Sequence, residues 1–350
     1  MGTAGKPKIT IHDIARISGA SASTVSAALS ENWRKRRIGE ATAAKIRKIA
    51  AENGYTPNLQ ARGLRSARSG LIGLILPFHD NRFFSSLSQA FEAEARQRGW
   101  CPVIASTLRD PAEEVRIVET LISYAVDYLF IAGATNPDAL GELCRAAKLS
   151  HLYVDLPGKD APSVVSNNYH GARTLTERIL AGMPRDMDCA RSRPYFIGGL
   201  PTDYASAQRM RAFGETLEAA GIPFEECQII PSGYSPGGAS REIAILCERL
   251  GGLPAGLFVN SIRPFEGVVS HLLNLPPESF ADSVIGCYDY DPFASFLQFP
   301  VHMMRQNSNE LIASAFKLVD AGTQDSILIQ VEPELIPPRT TYGEPFSELG

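Results

Sequence analysis

Several absences narrow what this 350-residue chain can be. Its longest apolar run, Leu71–Phe78, falls far short of the roughly 20 residues that a membrane-spanning helix needs. Met1 to Lys8 holds no apolar stretch of the signal-peptide kind, so a cytoplasmic protein without a membrane partner is expected. No C-x-x-C pair occurs among the six cysteines Cys101, Cys144, Cys189, Cys227, Cys247 and Cys287. That pattern predicts reduced, mostly buried thiols and neither a disulfide frame nor a zinc site. Neither H-E-x-x-H, G-x-x-x-x-G-K-[ST] nor G-x-G-x-x-G is present, and His12, His79, His151, His170, His271 and His302 show no ligand spacing. No metal or cofactor is expected. Hydrophobic residues make up 44% and charged residues 21%, ordinary values that set aside disordered and fibrous classes. At about 100–200 residues per domain, two or three compact units follow.

The charge present is unevenly placed. Residues 1–69 carry 13 basic and 4 acidic side chains, a net of +9, whereas the remaining residues carry −13. A small basic head on a large acidic body points to a polyanionic partner for the head alone.

The head reads as three helices. Thr10 and Asp13 form a capping box for the first, and Gly19 stops it. Ser21 caps the second, which turns Val25, Ala28 and Leu29 inward and Ala22, Ser23, Ser26 and Ala27 outward. An Arg/Lys-rich loop, Ser30 to Ile38, precedes a third helix over about Glu40 to Glu52. This is a helix-turn-helix spacing, whose second helix enters the major groove of DNA by its N-terminal end. Ser21, Thr24 and their small neighbours allow close approach but give up bidentate base contacts. Arg34, Lys35, Arg36 and Arg37 would hold phosphates, with hydrogen bonds from Tyr55 and Asn58. Leu59–Arg65 is too short to be helical alone, and Ser66–Gly70 reads as a linker.

From Leu71 onward, strand-like pieces alternate with helical ones: Leu71–Leu76, Pro102–Ser106, Tyr128–Ile131, Leu152–Val154, Val164–Ser166, Tyr195–Ile197, Gln228–Ile230, Leu257–Val259, Ser283–Cys287 and His302–Met304. The predicted class is an α/β body of two doubly wound parallel-sheet lobes, attached to an all-α helix-turn-helix domain. The expected boundaries are 1–57, 58–69 and 70–350.

Two stretches carry a resemblance: the text from Ile11 to Leu29, and GYTPNLQARGLRSARSGLIGLILP from Gly54 to Pro77. They are similar to the lactose-repressor (LacI/GalR) family of bacterial transcription regulators, over essentially the whole length. The resemblance implies a homodimer on double-stranded operator DNA, with Thr10 and the residues above as contacts. It further implies a hinge helix in which Pro57-Asn58, Ala61 and Leu64 are in register and Leu64 wedges into the minor groove. The loop Glu31–Arg37 and the text DPFASFLQFPVHMMRQ from Asp291 resemble a fructose- or sucrose-repressor subgroup. Ala27 stands where many members carry a large reading residue, which puts a standard operator in doubt. After Glu334 no heptad pattern follows, so the tetramer-forming helix of some members is not expected.

For the body, the resemblance implies a periplasmic-binding-protein-like sensor with a carbohydrate effector between the lobes. Carried over by position, the cleft residues are His79, Asp80, Asn81, Phe83, Asn167, Arg209, Asn260, Ser261, Asp289 and Gln306. Asn167 and Ser261 replace usual acids, and Arg82 and Arg263 lie beside the cleft, which argues for an anionic sugar. The single hydrolase-like motif, Gly233-Tyr234-Ser235-Pro236-Gly237, fails because Pro236 cannot supply the oxyanion-hole N–H. It reads as a loop before a helix, and no enzyme is expected. A sugar-binding protein without a DNA-binding role is the alternative.

Overall fold

The computed structural model describes residues 9–29, 33–55, 68–184 and 189–339. The chain divides into two compact units, residues 1–70 and 71–350. In the first, α1 (Ile11–Ser18), α2 (Ala22–Leu29) and α3 (Glu40–Glu52) enclose Ile14, Val25, Ala28, Ala43, Ile46 and Ala50. Thr10 and Asp13 form the expected capping box, and Gly19 ends α1 at φ 69°, a conformation that glycine adopts without a Cβ penalty. Ser21 Oγ accepts the Thr24 N–H at the start of α2. Tyr55 is half-buried against this core.

The second unit is two stacked α/β lobes. Lobe one opens with β1 (Leu71–Leu76), α4 (Arg82–Gln97), β2 (Cys101–Ser106) and α5 (Pro111–Ser123). It continues with β3 (Tyr128–Ala132), α6 (Pro137–Ala146), β4 (Ser150–Val154) and β5 (Ser163–Ser166). Lobe two holds α7 (Asn168–Gly182), β6 (Pro194–Ile197), α8 (Tyr204–Ala219), β7 (Ile229–Ile230) and α9 (Pro236–Leu250). It ends with β8 (Gly256–Val259), α10 (Ile262–Leu272), β9 (Val284–Tyr288) and β10 (Val301–Arg305). The chain then returns to lobe one with α11 (Ser308–Asp320) and β11 (Leu328–Val331), and crosses once more to place β12 (Glu334–Ile336) in lobe two.

The sheet orders are β11-β5-β4-β3-β1-β2 and β12-β10-β9-β8-β6-β7. Among the named strands every pairing is parallel except β10 with β12, which is antiparallel and departs from the all-parallel expectation. The pattern reading passed over β11 and β12. β11 keeps Leu328 exposed at a sheet edge, and β12 is three residues long, so neither shows a buried apolar run.

Strands buried on both faces read as continuous apolar text. LIGLIL of β1 is the clearest case. The sheet order reverses at β1 and at β6, so the C-terminal ends of the strands open a crevice there, where ligands of such folds sit. Cysteine burial departs from expectation. Cys144 and Cys287 are buried, but Cys101, Cys189 and Cys227 are exposed because they lie at a strand start or in short turns away from either core. No disulfide joins any two of the six. Among the described residues, no helix is long and apolar enough to cross a membrane, and no His/Cys/Asp/Glu cluster is arranged for a metal.

Candidate functional site

In the head, a hydroxyl cluster sits at the N-terminal end of α2. Ser21 Oγ lies 2.8 Å from both Ser23 Oγ and Thr24 Oγ1. Ser23 is exposed, and Ala22, Thr24 and Ser26 are half-buried. Thr10 Oγ1 donates to Asp13 at 2.7 Å. Arg34, Lys35, Arg36 and Arg37 are all exposed on one turn. Ala27 departs from the outward orientation expected of it: it is only 6% accessible. Helical periodicity gives the direction of a side chain but not what lies over it. Asn58, Ala61 and Leu64 lie outside the described residues.

In the second unit, a cavity that opens to solvent lies between the lobes. Its walls come from the C-terminal ends of strands. Phe78 and Asn81 follow β1, Arg109 follows β2, and Asp155 follows β4. From lobe two, Tyr234 follows β7, Ser261 follows β8, Asp289 follows β9 and Gln306 follows β10. Phe83 and Phe84 give an apolar wall, their rings edge-on at 5.0 Å.

Arg209 is the buried hub. Its Nε donates to Asn168 Oδ1 at 2.9 Å and its Nη1 to the Asn260 carbonyl at 2.6 Å, while the guanidinium lies 3.7 Å over the Tyr288 ring. Gln306 ties the lobe crossings to the site: its Oε1 accepts from Ser166 Oγ and its Nε2 donates to Asp289 Oδ1, both at 2.7 Å. Asp289 Oδ2 accepts the Ile262 N–H at 3.2 Å. Arg109 stacks 4.4 Å over Tyr234, joining the two lobes, and the Tyr234 hydroxyl is bound to Asp203.

Two kinds of incompleteness mark this cavity. Arg109 Nε and Ser261 Oγ are buried without a hydrogen-bond partner, a cost of about 1–3 kcal/mol per group unless something binds there. In addition, Arg109 (φ 55°), Asp155 (φ 72°) and Asp289 (φ 101°) all hold left-handed backbone, which is costly for residues with a Cβ and clusters at functional sites.

Burial pushes the Asp155 carboxyl up to about 7; Arg109 and Arg209 hold it down in part, and Asp203 and Asp289 raise it further. Burial also raises Asp289, against the pull of Arg209 and its hydrogen bonds to Gln306 and Ile262. A carboxyl raised in the folded state keeps its proton where the unfolded chain has already released it. Stability from this group therefore falls as pH rises from about 4 to about 7. Asp155→Asn is expected to flatten that part of the pH–stability curve, read from thermal melts of both proteins across the interval.

Seven of the twelve residues expected in the cleft line the cavity: Asn81, Phe83, Arg209, Ser261, Arg263, Asp289 and Gln306. The other five do not line it. Asn167 caps α7 by accepting the His170 N–H and donates to Glu332, because its side chain sits at a helix start on a lobe crossing. Asn260 is fully buried and reaches Ser206, offering Arg209 its carbonyl instead. Asp80 pairs with Arg263 at 3.2 Å and Arg82 with Asp291 at 3.1 Å. Each arginine thus has an acidic partner in a partly exposed ion pair, and Arg263 also lines the cavity. His79 does not line the cavity. The sequence reading missed Phe78, Phe84, Arg109, Asp155, Leu156, Ala205 and Tyr234. Tyr234 stood in the rejected hydrolase-like motif, whose Ser235 caps α9 ahead of Pro236 as the loop reading required.

The profile described as bacterial regulatory proteins, lacI family, matches residues 10–58. The ribitol operon repressor of Klebsiella aerogenes is 49% identical over 178 residues, which is 51% of this chain and 66% of that protein. The sucrose operon repressor of Klebsiella pneumoniae is 30% identical over 320 residues, covering 89% of this chain and 91% of that protein. Among solved structures, the lac repressor dimer bound to operator and an anti-inducer is 20% identical, with a TM-score of 0.76 over 95% of this chain and 99% of that one. That likeness shows the fold. With a relative this similar along nearly its entire length, and the helix-turn-helix segment matched independently, the chain belongs to the lacI family of bacterial transcription regulators.

Proposed function

We propose that this protein is a repressor of carbohydrate-metabolism genes that binds a palindromic operator as a homodimer and is controlled by a neutral sugar or polyol in the interlobe cavity. The division into a reader (1–57), a hinge (58–69) and a sensor (70–350) is part of the same proposal. The names of the ribitol and sucrose operon repressors support the carbohydrate class, and the operator-bound dimer supports the assembly.

The observation that carries the effector reading is the cavity's chemistry. Three guanidiniums line the cavity, Arg109, Arg209 and Arg263, the last paired with Asp80 outside the lining; they face two carboxylates, Asp155 and Asp289, around unpartnered groups and a phenylalanine wall. Balanced, buried donors and acceptors suit hydroxyl groups that both give and take hydrogen bonds, and an aromatic wall suits the C–H face of a sugar. Effector binding would shift the lobes and so the hinge, with coupling of about 1–3 kcal/mol between the two sites.

A panel of pentitols, hexoses, disaccharides, sugar acids and sugar phosphates tests this by thermal melting. A neutral member should raise Tm by about 5 °C at a hundredfold excess over its Kd. It should also change DNA affinity. Stabilisation by sugar phosphates or acids alone would overturn the neutral-ligand reading.

A further inference from the structure

We infer that Arg47 and Trp33 are positioning residues for DNA binding: together they lock the basic turn 33–38 to the C-terminal end of the reading helix. The inference rests on the head being the DNA-binding part. α2 is eight residues long and has no basic side chain in its last turn, and the last carbonyls of any helix take partners from outside its own ladder. Arg47, on α3, supplies one: its Nε donates to the Ala28 carbonyl at 3.0 Å. That places a fixed positive charge at the negative end of the α2 dipole.

The same guanidinium lies 5.4 Å from the centre of the Trp33 ring, and Arg34 lies 4.9 Å from it. Trp33 is half-buried against the head's core, and its carbonyl accepts the Ile38 N–H at 3.0 Å. The Arg34 carbonyl accepts the Arg37 N–H at 3.1 Å, with Arg37 at φ 56°. Trp33 to Ile38 is therefore a closed turn pinned at its base, with Arg34, Lys35, Arg36 and Arg37 exposed on it. A long basic loop without such a pin would lose conformational entropy for every phosphate it held. With the pin, its four charges arrive already placed relative to α2. Arg47 contributes through a carbonyl and a ring, a fork-and-face pairing that lysine cannot reproduce.

The test is a salt titration of the full-length protein on mixed-sequence duplex DNA, comparing Arg47→Lys, Trp33→Leu, Trp33→Phe and the double variant Arg47→Lys/Trp33→Leu. Each phosphate contact contributes about 0.9 to the slope of log K against log salt. Arg47→Lys keeps the net charge, yet it is expected to weaken binding about tenfold and to flatten the slope by about two contacts or more. Trp33→Leu should do the same, the double variant no worse, and Trp33→Phe should restore the native slope by keeping an aromatic face. An unchanged slope in Arg47→Lys overturns the inference, as does a Trp33→Phe variant no better than Trp33→Leu. A loss confined to Arg47 variants would make Arg47 a direct phosphate contact and overturn it as well. If the unaltered protein bound no duplex at all, the failure would lie with the head's assigned role and not with this pair.

Discussion

Arg209→Met should lower the stability of the sensor unit by about 3–5 kcal/mol and abolish its response to effector. The side chain is 3% accessible and holds three elements of lobe two together: Asn168 at the start of α7, the carbonyl after β8, and the Tyr288 ring at the end of β9. Burial alone would discourage its charge, but Tyr288, Asp289, Tyr234 and Asp155 more than offset this and raise its pKa. Removing the guanidinium strands two buried carboxylates that it now compensates. It also leaves the Asn260 carbonyl and Asn168 without their donor. At about 2 °C per kcal/mol for a unit of this size, Tm should fall by about 6–10 °C. Lowering the pH should recover part of the loss, since protonating Asp155 and Asp289 relieves the uncompensated charge. Arg209→Lys should rescue little, because an ammonium cannot bond in a fork and lie flat on a ring at once. A melting temperature within 1–2 °C of the native value, roughly what a surface substitution gives, would show that Arg209 is not the hub described here.

Much of this architecture was legible because its physics is local. The capping box at Thr10 and Asp13, the stop at Gly19 and the doubly buried text of β1 each declare themselves within a few residues. Strand-then-helix alternation gave two doubly wound lobes, and cleft positions after strands followed from where such sheets place ligands. The misses are non-local. Arg109 and Asp155 stand in unremarkable loop text, and only the fold turns them toward one cavity in left-handed backbone. Asn167 and Asn81 illustrate a genuine ambiguity: an Asn after a strand serves equally as a helix cap and a sugar ligand. The structure shows both capping, with Asn81 alone also lining the cavity. The acidic partners of Arg82 and Arg263 could not be read from the text either, since Asp291 and Asp80 lie about 180 to 210 residues away in sequence. Ala27 was placed by helical periodicity, which does not register what packs over a position.

A separation of labour between the ends of the chain underlies the whole account. Residues 1–69 carry +9 and the rest −13, so a duplex should be drawn to the head and repelled by the body. Ser21, Ser23 and Thr24 at the start of α2, with four exposed basic residues on the turn that follows its other end, are proposed as the head's reading edge and its means of holding phosphates. Removing residues 1–69 should therefore eliminate DNA binding, a loss of at least about a thousandfold, while the two-lobed unit still melts cooperatively and still binds its sugar. The decisive measurement is a fluorescence-anisotropy salt titration on duplex DNA, run in parallel on the full-length protein and on residues 70–350. The account predicts a slope of about −5 or steeper for the former and no measurable binding for the latter. Equal affinity in the two proteins, or a full-length slope near zero, would contradict it.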